Sequence, residues 1–305
     1  NLLHMPLLKQ YAVYTPTLTA GNWSWEGRVI ATASQQSPKI NFQQNRDNIK
    51  VMDVNGDGLV DVVYNSGTEL QTFLALGRYP GGDGQYGHAV WTGKNAATIS
   101  NDPLTACVPW AGTPARFSDS DVRLADMNGD GLVDIVRTRK GDLKYWPGRG
   151  NGFWGTGALD DCKGGSFGQN REIAMTSPPI WFDPDDTKVR LDDVNGDGLD
   201  DMVQIRFNAV DIWINVDGTS WTKRHVMAGA PISSITNRAR LVDMNGSGTR
   251  DVLWGDGLKY RFADLAGGVR PWVLTHVDNG LGKTTDLEYS TSTAHMLAAE
   301  TAGNP

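Results

Sequence analysis

Four short stretches of the chain crowd oxygen-bearing side chains at one fixed spacing. In DVNGDGLVD, positions one, three, five and nine are Asp53, Asn55, Asp57 and Asp61, with Leu59 at position seven. The same positions fall to Asp126, Asn128, Asp130, Leu132 and Asp134, and then to Asp193, Asn195, Asp197, Leu199 and Asp201. A fourth copy keeps Asp243, Asn245, Thr249 and Asp251 but carries Ser247 at position five. Three carboxylates in one tight turn repel one another, and each is pushed toward protonation. A hard divalent cation removes the repulsion, and Ca²⁺ takes oxygen ligands from carboxylates, amides and backbone carbonyls. The spacing therefore predicts Ca²⁺ in the first three loops, with position seven giving its carbonyl. The fourth loop is expected to be weaker, because losing a carboxylate lowers the ligand charge.

Two other readings of these loops are weaker. An EF-hand requires a bidentate Glu at position twelve and flanking helices; here that position is Tyr64, Arg137 or Gln204, and the flanks are apolar and strand-like. An ordinary Asn-Gly or Asp-Gly hairpin turn needs one such residue, not a repeated set of three carboxylates. The glycines at positions four and six suit a chain that wraps a small ion, since they accept positive φ without strain. Catalysis is not expected, because one loop per repeat supplies no unique base or nucleophile. The other catalytic motifs fail on context. Ser166 is central to a G-x-S-x-G match inside a Gly-rich loop, and the GxGxxG match at 150–155 continues as loop rather than helix.

The elements around the loops repeat as well. IKVMDVNGDGLVDVVY, VRLADMNGDGLVDIVR, VRLDDVNGDGLDDMVQ and ARLVDMNGSGTRDVLW begin at residues 49, 122, 189 and 239. A short apolar strand follows each loop, then a turn, a second strand and a Trp: Trp91, Trp154, Trp221 and Trp272. Units of this length with alternating strands and Gly-rich turns predict an all-β fold, a β-propeller of about five to seven four-stranded blades with calcium loops. The repeated Trp is expected to pack between neighbouring blades. Residues 1–44 would supply N-terminal strands, 45–272 the blades, and 273–305 an exit segment toward the next domain of a longer chain.

Composition narrows the function classes. The formal net charge is −7, and no basic stripe is present, which argues against nucleic-acid binding. Without its eleven loop aspartates the chain would sum to +4, so the acidity is concentrated in the loops. No run of 18 apolar residues is present to span a membrane as a helix, and no secretory leader is visible after Asn1. Cys107 and Cys162 permit a disulfide but do not imply one.

The closing run THVDNGLGKTTDLEYSTSTAHMLAAETAGNP resembles a segment of insecticidal Tc-toxin B components and SpvB-like virulence proteins. RLADMNGDGLVDIV and RLVDMNGSGTRDVLW are similar to FG-GAP/VCBS-type calcium repeats in the middle region of that family. The resemblance covers roughly residues 45–305. It implies a non-enzymatic module of a secreted toxin complex that docks on the pore-forming A component and gates a toxin-enclosing shell, in contact with the remainder of its own longer chain. The alternative is a calcium-stabilised lectin or adhesion propeller. Unequal insertions, such as GRYPGGDGQYGHAV after one unit, favour a single protein interface over repeated sugar sites.

Overall fold

The structure, a computed structural model, describes residues 2–7, 10–31, 42–65, 70–74, 115–150, 154–156, 172–180, 182, 189–232, 238–255, 258–290 and 292–303. Trp91, Cys107, Cys162 and Ser166 lie outside them. Among the described residues the fold is all-β except for a short 3₁₀ turn and one helix, α1 (Ser292–Thr301). The strands are β1 (Leu2–Leu7), β2 (Gln10–Thr19), β3 (Asn22–Ala31), β4 (Ile49–Met52), β5 (Asp61–Asn65) and β6 (Leu70–Phe73). They continue as β7 (Val122–Ala125), β8 (Asp134–Arg139), β9 (Asp142–Trp146), β10 (Ile173–Ala174), β11 (Val189–Asp192), β12 (Asp201–Arg206) and β13 (Ala209–Trp213). The last are β14 (His225–Ala228), β15 (Arg238–Val242), β16 (Asp251–Gly255), β17 (Tyr260–Ala263), β18 (His276–Asp278) and β19 (Thr284–Asp286).

Strands adjacent in sequence are adjacent in space, so each sheet is a small meander. The orders are β1-β2-β3, β4-β5-β6, β7-β8-β9-β10, β11-β12-β13-β14, β15-β16-β17 and β18-β19. Two sheets therefore have the four strands expected of a repeat, and among the described residues the sheets of the first and fourth repeats have three. No described sheet closes on itself. Each repeat loop joins the first and second strands of its sheet, and the ninth loop position opens the second strand, as Met52↔Asp61, Asp192↔Asp201 and Val242↔Asp251 show.

The second strand of each repeat is covered on both faces, which explains its nearly continuous apolar sequence. In β12, Met202, Val203 and Ile205 are all buried, as are Ile135 and Val136 in β8. The chain divides into two compact units, one of residues 1–124, 131–138 and 144–174, the other of residues 125–130, 139–143 and 175–305. The first has a core of Val54, Val63, Phe117, Ile135, Trp146 and Trp154. The second packs Val194, Val203, Ile205, Val210, Val252 and Trp254.

Of the repeated Trp, two are buried and one is exposed. Trp154 and Trp221 are buried, each bridged to the residue fourteen after position nine (Gly148 and Asn215). Trp272 is 76% exposed. Its sheet ends at β17, whose Tyr260 and Phe262 are also exposed, so no further described strand offers the indole a seat.

Candidate metal centres

Position one of each loop organises the backbone around it. Asp53 Oδ1 accepts the amides of Gly56 at 2.8 Å and Asp57 at 3.2 Å, while Oδ2 accepts that of Gly58 at 2.8 Å. Asp243 repeats this with Gly246, Ser247 and Gly248 at 2.7, 3.1 and 2.8 Å. Asp193 holds Gly196 and Gly198, and Asp126 holds Gly129. Position three adds a second frame: Asn55, Asn128, Asn195 and Asn245 each accept the amide of position five through Oδ1. In the first three loops the Asn amide also donates to the position-five carboxylate, Asp57, Asp130 or Asp197, at 2.9–3.0 Å.

This wrapping requires left-handed backbone at positions four and six. All eight glycines there have φ between 74° and 89°. A Cβ on Gly198 would meet nothing within 4 Å, so Gly198→Ala isolates the conformational cost. About 1–2 kcal/mol of lost stability is expected for that change in a denaturant titration. Gly129→Ala is expected to cost more, because its Cβ would lie 3.2 Å from Leu199 Cδ2.

Position seven, expected as a carbonyl ligand, also packs with its side chain. In the first unit Leu132 lies against Gly56, and in the second Leu199 lies against Gly129 and Thr249 against Gly196. Position four of one loop thus meets position seven of the next. The missing Cβ is what permits the approach.

Position nine carries backbone contacts that the spacing does not reveal. Asp61, Asp134, Asp201 and Asp251 are fully buried, and their carboxylates accept backbone amides. Val54, Val194 and Met244, at position two, donate to Asp61, Asp201 and Asp251 at 2.8, 3.2 and 2.8 Å. Gly148 and Asn215, each fourteen residues downstream, donate to Asp134 and Asp201 at 2.8 and 2.9 Å. One carboxylate therefore ties the loop's start to the end of the third strand.

The fourth loop holds a carboxylate that its spacing does not reveal. Ser247 leaves Asn245 without its usual partner, and Asn245 Nδ2 donates instead to Asp264 Oδ2 at 2.8 Å. Asp264 follows β17 and enters through tertiary structure, thirteen residues after position nine. Its charge and that of Asp243 act with burial to raise the pKa of Asp251. Only the aspartate in FADLAGG hints at this role in the sequence.

Burial dominates the electrostatics of the loops. Burial, then the charges of Asp197 and Asp193, push Asp201 up to about 8 against the opposing pull of two backbone amides. Burial likewise raises Asp200 to about 6. Among the described residues, no three His, Cys, Asp or Glu side chains converge as a preformed metal cage. The donor types fit Ca²⁺ nonetheless: oxygens only, with like charges close together.

Comparison with known proteins bears on the C-terminal part of this framework. Residues 215–305 match the family described as the insecticide toxin TcdB middle/N-terminal region. Those residues are under a third of the chain, and the match marks them as similar to that region. Among solved structures, a Photorhabdus luminescens Tc holotoxin pore with mutated TccC3 aligns over 99% of this chain at 16% identity, with a TM-score of 0.55. A TcdB2-TccC3 crystal structure aligns over 96% at 18% identity, with a TM-score of 0.49. This chain spans 15% of the length of each of those chains. At such identity the likeness to the holotoxin pore is one of fold. An Agrocybe aegerita lectin that recognises terminal N-acetylglucosamine aligns over 92% at 13% identity with a TM-score of 0.47, covering 66% of that chain, which carries no argument for a sugar site. No curated protein matches the chain. Among the described residues, no helix is long and apolar enough to cross a membrane.

Proposed function

We propose that this chain is a non-enzymatic, calcium-braced propeller module of a secreted toxin complex, serving as a docking surface. Its partners are the pore-forming A component and the remainder of its own longer chain, and its position gates the toxin-enclosing shell. The observation that carries the reading lies within the TcdB-type residues. Leu258, Tyr260, Phe262, Trp272, Leu274 and Leu281 all expose large apolar side chains there. Concentrated apolar exposure marks interaction surfaces, and an exposed Trp is a favoured anchor. Binding of the full chain to the pore-forming component, measured by surface plasmon resonance, tests it. Trp272→Ala is expected to weaken docking about tenfold or more while leaving the melting temperature unchanged. Equal binding by the variant and the wild type would count against this surface.

In this reading Ca²⁺ sits in each repeat loop. The first three sites take Asp53, Asn55 and Asp57, Asp126, Asn128 and Asp130, and Asp193, Asn195 and Asp197, together with their position-seven carbonyls and position-nine carboxylates. The fourth takes Asp243, Asn245, Thr249 and Asp251, with Asp264 in place of the absent position-five carboxylate. When bound, the cation neutralises the loop carboxylates and fixes the turn between two strands. Asp264→Ala is expected to reduce calcium, counted by inductively coupled plasma mass spectrometry, by one ion per chain. An unchanged count would remove Asp264 from the ligand set.

A further inference from the structure

The second unit carries a cavity of about 400 Å³ lined by none of the repeat-loop residues. Its floor is the β12–β13 hairpin, where Gln204 and Asp211 face each other across the strands and Arg206 lies beside them. Arg224, just before β14, and Lys140, in the turn between β8 and β9, bring two further cations to the rim. Ile180 and Phe182 form an apolar wall, and the ring of Phe182 is held edge-on against Trp213 at 6.4 Å.

Among the described residues that line it, the charges in this cavity do not balance. Asp211 is fully buried, and its Oδ1 accepts Nη2 of Arg206 at 2.7 Å. Arg206 Nε lies 2.6 Å from Oδ2 but outside hydrogen-bonding direction, so that contact is purely an ion pair. Arg224 Nε stands 3.6 Å from Oδ1, close enough for attraction but too far for a hydrogen bond. One carboxylate thus faces two guanidiniums, and Lys140 makes no ion pair among the described residues.

A second, independent feature lies on the same floor. Gln204 is 5% exposed, and its buried Oε1 has no hydrogen-bond partner among the described residues. Leaving a buried carbonyl unmet costs its full desolvation, and most buried polar atoms avoid that cost. An apolar residue of the same shape would avoid it as well. The site therefore offers excess positive charge beside an acceptor that lacks a donor.

We propose that this cavity binds a small carboxylate ligand bearing a hydroxyl group on the first or second carbon from its carboxylate. The carboxylate would lie between Arg224 and Lys140, where a guanidinium offers paired donors. The hydroxyl would donate to Gln204 Oε1, and the ligand's carbon skeleton would rest on Ile180 and Phe182. A dianion fits less well, because the buried Asp211 already uses most of the Arg206 charge and repels a second negative unit. The proposal is independent of the docking surface, which lies at other residues.

Nuclear magnetic resonance titration of the full chain tests it, with lactate, propionate, D-glucuronate, glucose and inorganic phosphate as probes. Saturable shifts at the Trp213 indole and the Arg224 Nε–H are expected with lactate, with D-glucuronate, or with both. Lactate alone would assign a free hydroxy acid, and glucuronate alone an acidic sugar. Lys140→Ala, in an exposed turn, is expected to weaken binding about fivefold. Gln204→Leu is expected to fold normally and to abolish the preference for lactate over propionate. No saturable shift with any carboxylate, glucose binding as well as glucuronate, tighter binding of phosphate, or lactate binding no better than propionate where lactate binds would each overturn the assignment.

Discussion

Removing calcium is expected to lower the melting temperature by roughly 5–10 °C for each site emptied. The magnitude follows from linkage. A ligand at a hundred times its dissociation constant stabilises the folded state by about 2.7 kcal/mol per site, and each kcal/mol moves the melting temperature of a chain of this size class by about 2–4 °C. The direction follows from the loops. Burial, with the neighbouring charges of Asp197 and Asp193 adding to it, drives the Asp201 pKa up to about 8, and a bound cation would favour the ionised carboxylate. Calorimetry in calcium and in excess chelator checks the shift, and metal counting should give three to four ions per chain. Absence of metal together with superimposable melting curves would leave the loops as hydrogen-bonded turns.

Much of this site can be read in the sequence because its determinants are local. A carboxylate at position one reaches the amides three to five residues ahead, and only glycine holds the required φ cheaply, so spacing and composition suffice. The alternation of apolar runs and turns likewise announces small meander sheets, which β11 to β14 realise strand by strand. What the sequence hides is set by partners distant along the chain. Asp264 acquires its role because the end of β17 is folded against Asn245. Gln204 reads as an ordinary polar residue of a strand, and only its burial beside Arg206 and Asp211 makes it conspicuous. Trp272 occupies the right place in the repeat but lacks a covering strand, and coverage is a tertiary property. The position-nine aspartates combine both cases: their presence is visible, but their backbone partners are not.

That dual role makes Asp201 the side chain whose removal is expected to cost most. Asp201→Ala leaves the amides of Val194 and Asn215 buried without acceptors. At about 1–3 kcal/mol for each unmet group, a loss of about 2–6 kcal/mol is expected. Asp201→Asn should fall between Ala and wild type, since its single carbonyl oxygen accepts one amide while its NH₂ faces the other. Comparing chelator with calcium separates the two roles of the carboxylate. The penalty measured in chelator belongs to the backbone tie, and any additional penalty in calcium belongs to the metal. Asp197→Ala provides the contrast, because Asp197 caps Leu199 and Asn195 within its own loop and joins no second strand. Its loss should cost little in chelator and appear chiefly as lost calcium stabilisation. If Asp201→Ala were harmless in chelator and costly only in calcium, position nine would be a ligand alone, and the tie across each sheet would contribute nothing to the fold.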